Sequence, residues 1–459
     1  MHGGDAMKRN ALQELLKWKD NDRRKPLIVW GARQVGKTYL VRDIFAETCY
    51  KDNYVYIDCK IEDEVRDFCS ETANAGKMIE YISLFKGRRI TPDTLLIFDE
   101  VQECPNIISA LKYFCQDFRE IPVIATGSMV RIKIQRETRR RGVGNTGRFL
   151  FPVGKIDQMT VYPMTFDEFL LNSNEMLYDA IKRSYENKLP PDRRIHELAM
   201  EQVFRYLLVG GMPEAADAYI ESNDLLKSRE ILKSLYDNYL SDMELYQASP
   251  ESILRSRALF SNIYKELNKE SKNFSPGLIE KRSKTRDYAT SVQWLTMAHI
   301  INQSFQLKEH ITLPLMPDND NSFRLFLADI GMFSYQSGVN AAAFISNEQK
   351  NTLSGIFFEN FIANELIARG HKLFYWKGKS SAELEFIVES NGRLFPVDVK
   401  KGRGTLNSLE KFSHHNKFEC AIKVSRNNYG YNAAQKLLTL PFYFISFAAA
   451  DLAEGKPVI

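Results

Sequence analysis

Leu27-Ile28-Val29-Trp30-Gly31-Ala32-Arg33-Gln34-Val35-Gly36-Lys37-Thr38 decides how this chain reads: an apolar strand, a glycine loop, then the start of a helix. Gly31 to Thr38 fit the phosphate-binding loop, in which glycines let successive backbone N–H groups close around a triphosphate. The helix that follows points its positive dipole end at the same anion. Lys37 would neutralise the β- and γ-phosphates, and Thr38 would hold Mg2+. Gly31, Ala32, Arg33, Gln34, Val35, Gly36, Lys37 and Thr38 are therefore a candidate site for ATP or GTP.

Outward from this loop, Ala11 to Lys19 places Leu12, Leu15 and Leu16 at helical spacing. Three more apolar strands follow: Tyr54–Ile57 before Asp58, Leu95–Phe98 ending at Asp99-Glu100, and Val123–Ala125 ending at Thr126-Gly-Ser128. With helical stretches between them, the pattern implies a parallel sheet whose ligands collect at the carboxyl ends of the strands. An unpaired Asp-Glu at the end of a buried strand is costly without a cation. Asp99 is accordingly expected in the magnesium shell and Glu100 as the base that polarises the attacking water. A strand between the phosphate loop and the acidic pair marks the branch of such ATPases that carries a glutamate base. Ser128 and Thr126 offer hydroxyls to the γ-phosphate or that water, with a turn or cap role equally open. Between residues 131 and 148 lie seven arginines and lysines and one acid, a solvated run except for Arg148, which re-enters an apolar pattern. Arg148 would reach the γ-phosphate in cis or from a second copy of the chain.

Length and composition frame this reading. At 459 residues the chain is too long for one core, and 44% hydrophobic with 26% charged residues describes an ordinary folded protein. Its longest apolar stretch, Phe442 to Ala450, is too short to span a membrane, and the polar start lacks a signal-peptide core. Five of the six cysteines lie in the nucleotide-binding part without metal spacing, which implies reduced thiols and a cytoplasmic location. Net charge is only +4, so nucleic-acid binding must come from local patches.

Residues 171–250 read as a helical lid, with Glu201 to Gly210 a helix stopped by Gly210-Gly211. In 251–335, helices are expected over 252–268, Ser275 to Lys281 and Lys284 to Met297. Strand-like Phe305–Leu307 and Phe323–Leu327 follow, together a winged-helix pattern. Lys281, Arg282, Lys284 and Arg286 would then face DNA phosphates, or simply solvent if the module only packs.

The segment 336–459 carries the second chemical signal. Asn391-Gly392 between two alternating runs is a tight hairpin turn, so Ser390 pairs with Arg393, Glu385 falls opposite Asp398, and Glu383 opposite Lys400. Alternation puts Glu383, Glu385, Asp398 and Lys400 on one face. Ile356 to Ala368 reads as a helix with Glu359 in its apolar stripe, an acid that needs a partner. Glu359, Glu385 and Asp398 are candidate Mg2+ ligands. Lys400 would orient the water or stabilise charge on a phosphodiester, and Lys401, Arg403 and Lys411 extend a basic surface.

Gly31 to Thr38, Ile97-Phe-Asp-Glu-Val-Gln102, Ala125-Thr-Gly-Ser128, Gly147-Arg148, Tyr162-Pro-Met-Thr-Phe166 and Gly210-Gly-Met-Pro-Glu214 occur in this order. Together they resemble the prokaryotic AAA-type, STAND-like P-loop ATPases that carry a C-terminal domain of unknown function related to PD-(D/E)XK nucleases. The resemblance implies an α/β P-loop domain over 1–170, a helical lid, a winged helix and a restriction-endonuclease-like end. It favours ATP with Mg2+, and it places Pro213 near the adenine. It also implies DNA association. A protein partner or a second copy of the chain is the other expected partner, and no membrane is expected. In that family the hairpin reads Glu-Val-Asp then Glu-Val-Lys. Here Glu-Leu-Glu385 and Asp398-Val-Lys400 exchange the lengths of the two acids.

Overall fold

A computed structural model describes residues 7–128, 151–247, 249–340, 354–378, 382–400 and 407–459. Arg148 and the basic run around it, with Lys401 and Arg403, lie outside the described residues. The chain divides into two compact units, 1–162 with 297–299 and 163–296 with 300–459. All six cysteines are free thiols. Among the described residues no helix is long and apolar enough to cross a membrane.

The first unit is built on strands β1 (Leu27–Trp30), β2 (Tyr54–Asp58), β3 (Leu95–Asp99), β4 (Val123–Thr126) and β5 (Asp157–Thr160). They form one parallel sheet in the order β2-β3-β4-β1-β5, as the alternation of apolar strands and helices predicts. Both faces are covered, which is why β1 and β3 are buried at every position. Leu27, Val29, Leu95, Ile97 and Ile124 belong to one core, against the helix Ala11–Lys19 and the helix that follows the phosphate loop. Ile28, Trp30, Leu96, Phe98, Val123 and Ala125 belong to the other, with Ile107, Leu111 and Phe114 of the helix Pro105–Asp117. Successive strand residues thus feed opposite cores, and only the strand ends are left for polar groups.

In the second unit, strands β6 (Ile301–Leu307), β7 (Phe323–Leu327), β8 (Leu373–Lys377) and β9 (Glu383–Leu384) make a sheet in the order β7-β6-β8-β9. Strands β10 (Phe386–Ser390), β11 (Arg393–Val399), β12 (Ala421–Ser425), β13 (Gly430–Asn432) and β14 (Leu437–Pro441) make another, in the order β10-β11-β12-β14-β13. The strands expected as a wing do not stand apart: β6 pairs antiparallel with β7 and parallel with β8. The helices expected before them are also shorter. The span 252–268 breaks into Pro250–Phe260 and Ile263–Leu267, and Ser275 to Lys281 yields only the 3-10 turn Pro276–Leu278. Lys281, Arg282, Lys284 and Arg286 therefore sit in turns ahead of the helix Ala289–Met297. Arg282 takes a left-handed backbone with φ 69°, and Pro276-Gly277 supplies little helix propensity, so the segment does not propagate.

The helix Phe166–Ser173 is tied to the helix Ser354–Ala368 by a buried ionic cluster. Glu365 accepts from the backbone N–H of Phe166 at 2.9 Å, and Arg369 pairs with Asp167 at 2.6 Å. Burial, reinforced by Asp167, pushes the Glu365 carboxyl up to about 8. Gly210 and Gly211 complete the join. A Cβ on Gly211 would stand 2.0 Å from the Met164 carbonyl oxygen, and one on Gly210, whose φ is +76°, 2.5 Å from the Gly331 nitrogen. Asp329, buried at the start of the helix Ile330–Gln336, accepts from the Gly211 and Met332 N–H groups, each at 2.7 Å.

Candidate phosphate site and acidic face

The loop after β1 is shaped by backbone that side chains would block. Gly31 has φ +146°, and a Cβ there would stand 2.3 Å from the Val161 carbonyl oxygen. Gly36 has φ +87°, and Gln34 is forced left-handed at φ 62°. Ala32 and Val35 are buried, Gln34 is exposed and Arg33 half-buried. Arg9, buried just ahead of the first helix, props the loop from behind, donating to the Val35 carbonyl at 3.2 Å and the Tyr162 carbonyl at 2.7 Å.

Lys37 is 7% exposed and turned back on the loop, donating to the carbonyls of Ala32 at 2.7 Å and Gly31 at 3.2 Å. Burial lowers its ammonium to about 8, against partial compensation from Glu100 and Asp99. A buried cation with only two neutral carbonyls is short of charge, which an anion in the loop would supply.

Asp99 is the hub of the site. Its Oδ2 accepts from the Thr38 hydroxyl at 2.6 Å and the Tyr56 hydroxyl at 2.9 Å, and its Oδ1 from the Thr126 hydroxyl and the Glu100 N–H at 2.9 Å. Sheet order explains the convergence: β4 lies between β1 and β3, so the ends of β2, β3 and β4 and the loop after β1 meet at one edge. Thr38 and Asp99 offer the hard oxygen ligands that suit Mg2+, which keeps several of its own waters. Burial, with Asp99 next, raises the Tyr56 hydroxyl so that it remains a donor. Glu100 has a left-handed φ of 51°, and its carboxylate accepts from the Gln102 amide. Thr126 is committed to Asp99, whereas Ser128, half-buried just beyond the strand, is not drawn into that hub. Gln102 ends the Ile97 to Gln102 motif of the sequence, which assigns it no role, and Arg9 and Tyr56 carry no local signal.

In the second unit the structure brings Glu359, Glu385, Asp398 and Lys400 together, all but Lys400 less than 10% exposed. Ser390 pairs with Arg393 as the hairpin turn requires, and the ladder runs to Phe386 opposite Val397. Glu385 then leaves the ladder and accepts from the Val399 N–H at 3.2 Å. Glu383 is not opposite Lys400: it pairs in register with Lys377 of β8, and its carboxylate meets Arg324 at 2.6 Å. The Arg324 guanidinium, 1% exposed, also lies 3.8 Å from the centre of the Tyr375 ring. Lys400 pairs with Asp398 at 2.7 Å, and Lys272 pairs with Glu359 at 2.6 Å. Glu359 Oε2 is buried without a hydrogen bond. Burial and the neighbouring Glu359 raise the Glu385 carboxyl well above the usual range, and Lys400 is raised because Glu385 and Asp398 outweigh its desolvation. Two lysines thus neutralise this face. Among the described residues no three His, Cys, Asp or Glu side chains form a set that would hold a metal ion.

Pro213 opens the helix Pro213–Ser222 in the second unit, where it fits the first-turn preference for proline.

Comparison with known proteins agrees with the first of these sites. A family model described as an AAA domain matches residues 23–170. Residues 23–170 are thus similar to AAA-type P-loop domains. The matched span holds every residue of the phosphate site except Arg9. Residues 200–343 and 354–443 match models described as "Domain of unknown function (DUF8612)" and "Domain of unknown function (DUF4143)", which assign no chemistry. A solved structure titled "Structure of C. elegans PCH-2" aligns at 14% identity with a TM-score of 0.22, covering 49% of this chain and 59% of its own. So loose an alignment adds nothing to the argument. No curated protein matches.

Proposed function

We propose that this protein binds and hydrolyses ATP with Mg2+, and that its C-terminal half responds to the nucleotide state. The observation that carries this reading is the 2.6 Å bond from Thr38 to Asp99 at the mouth of a loop whose buried lysine donates to the backbone carbonyls of Gly31 and Ala32. Mg2+ would supply charge neutralisation for the leaving phosphates. Thr38 and Asp99 would hold it, Lys37 would bind the β- and γ-oxygens, and Glu100 would take the proton of the attacking water once Gln102 releases it. Ser128 is assigned to the γ-phosphate or that water, and Arg148 to stabilising charge during hydrolysis. Glu100→Gln should keep ATP binding within about threefold and lower phosphate release by a hundredfold or more. Turnover unchanged by that substitution would remove Glu100 from the mechanism.

For the terminus, the shared face of Glu385, Asp398 and Lys400 supports a nuclease-like domain that engages DNA, with Glu359 completing the acidic set. A second reading, a binding module that does not cleave, is favoured by Lys272 on Glu359 and by the exchanged lengths of Glu385 and Asp398. Labelled DNA incubated with Mg2+ or Mn2+ and wild type, Lys37→Ala or Lys400→Ala distinguishes them. Cleavage lost in Lys400→Ala supports the nuclease, and no cleavage by wild type supports the module.

A further inference from the structure

A cavity of about 490 Å³ opens in the second unit between the helix Arg193–Val209 and the chain leaving β12. That volume suits a small-molecule site. His196, Glu197, Met200, Glu201, Phe204, Arg205 and Arg426 line it.

The lining holds two acids and two arginines, but neither acid is paired with Arg426. Glu201 pairs with Arg205 at 2.7 Å, and Glu197 with Arg193, outside the lining, at 2.9 Å. Arg205 is further held by Tyr219 and Asn223. Arg426 is left over. Its Nε is buried without a hydrogen bond, and its guanidinium lies 4.9 Å from the ring centre of Phe204 and 5.9 Å from that of Phe358. Desolvation pushes the guanidinium below its ordinary value. A half-buried guanidinium against two aromatic faces gains cation–π attraction, but its N–H donors still need acceptors.

Arg426 is also held in place. His196 Nε2 lies 3.1 Å from the Arg426 carbonyl oxygen and Nδ1 2.7 Å from the Tyr443 hydroxyl. A carbonyl only accepts, so Nε2 carries the hydrogen. Burial lowers the imidazole and keeps it neutral, so Nδ1 accepts from Tyr443. This relay fixes the backbone at the cavity wall without adding a charge.

We propose that this cavity binds a small organic anion, a carboxylate or phosphate on an apolar body, with its charge on Arg426 and its body against Met200 and Phe204. The pairing resembles other guanidinium sites in using a planar fork for a planar or tetrahedral oxyanion. The apolar lining favours a ligand with more than a bare anion to bury.

The test is calorimetric titration of the full chain with benzoate, phenyl phosphate and uncharged benzyl alcohol, with the phosphate loop already saturated by a non-hydrolysable ATP analogue. At least one anion should bind one-to-one, and benzyl alcohol about tenfold more weakly or not at all. Arg426→Gln should weaken the anion about tenfold or more, and Met200→Trp, which fills the cavity but leaves Arg426, should do the same. Unchanged far-UV circular dichroism and melting midpoint in both variants show that they are folded. Binding of one anion only decides between carboxylate and phosphate. Failure of both anions, equal binding of benzyl alcohol, or binding that survives Met200→Trp overturns the proposal; should Arg426→Gln not fold, Met200→Trp alone decides.

Discussion

Under the proposed function, Lys37 would make phosphate binding proton-coupled, and the size of the effect follows from its burial. In the free loop the ammonium titrates at about 8 in place of its ordinary 10.5. A bound triphosphate places several negative charges on it and returns the group to the charged form over the whole accessible range. Above pH 8 the free protein therefore takes up a proton when ATP binds, and affinity falls as pH rises. The loss is about tenfold between pH 7 and pH 9, about 1.4 kcal/mol, with about 0.8 proton taken up at pH 8.5. Titration calorimetry at pH 8.5 in two buffers of different ionisation enthalpy counts that proton directly. Lys37→Met should bind weakly and show no uptake. The nucleotide-free fold responds with the opposite slope: between about pH 8 and 10.5 the unfolded lysine holds more protons than the folded one, so stability rises with pH across that window. Affinity flat from pH 7 to 9, with no proton uptake in the wild type, would refute this account of the buried lysine.

Lys272→Ala should lower unfolding stability by about 3 kcal/mol, because it strands the buried Glu359, and a second change, Glu359→Gln, should restore most of the loss; denaturant titration of the four proteins measures the coupling, and a neutral single variant would contradict it. Gly211→Ala, which sets a methyl against the Met164 carbonyl, should cost about 1–3 kcal/mol or more, read as a fall in the melting midpoint. Tyr56→Phe removes one of the donors to Asp99 and should raise the Mg2+ concentration needed for half-maximal ATP hydrolysis about fivefold, while leaving metal-free nucleotide binding unchanged.

The phosphate site was legible because its parts are local. A glycine loop between strand and helix, and an acidic pair ending an apolar strand, each announce themselves within eight residues. Tyr56 was not, since its role comes from β2 lying beside β3, and neighbours in a sheet leave no mark in the sequence of either strand. The hairpin shows the same limit at closer range. Asn391-Gly392 fixed its register correctly as far as Phe386, but alternation could not reveal that Glu383 belongs to the ladder of β8. Arg324, inside the apolar run Phe323–Leu327, was a readable anomaly: a cation in a wholly buried strand must meet an acid, and it meets Glu383. The short helices after residue 250 were overestimated because charged residues at helical spacing do not reveal where turns such as Pro276-Gly277 interrupt them.

One consequence of the hairpin reaches beyond binding. The run Glu383 to Ser390 is the edge of one sheet and then the edge of the other, and Glu385 is the single residue in neither. There the Val399 amide takes a carboxylate as its acceptor in place of a ladder carbonyl. Its solvent exchange is thus governed by whatever else that carboxylate engages, and the Val399 amide resonance becomes a one-atom reporter of events on the acidic face, readable without any assay of cleavage.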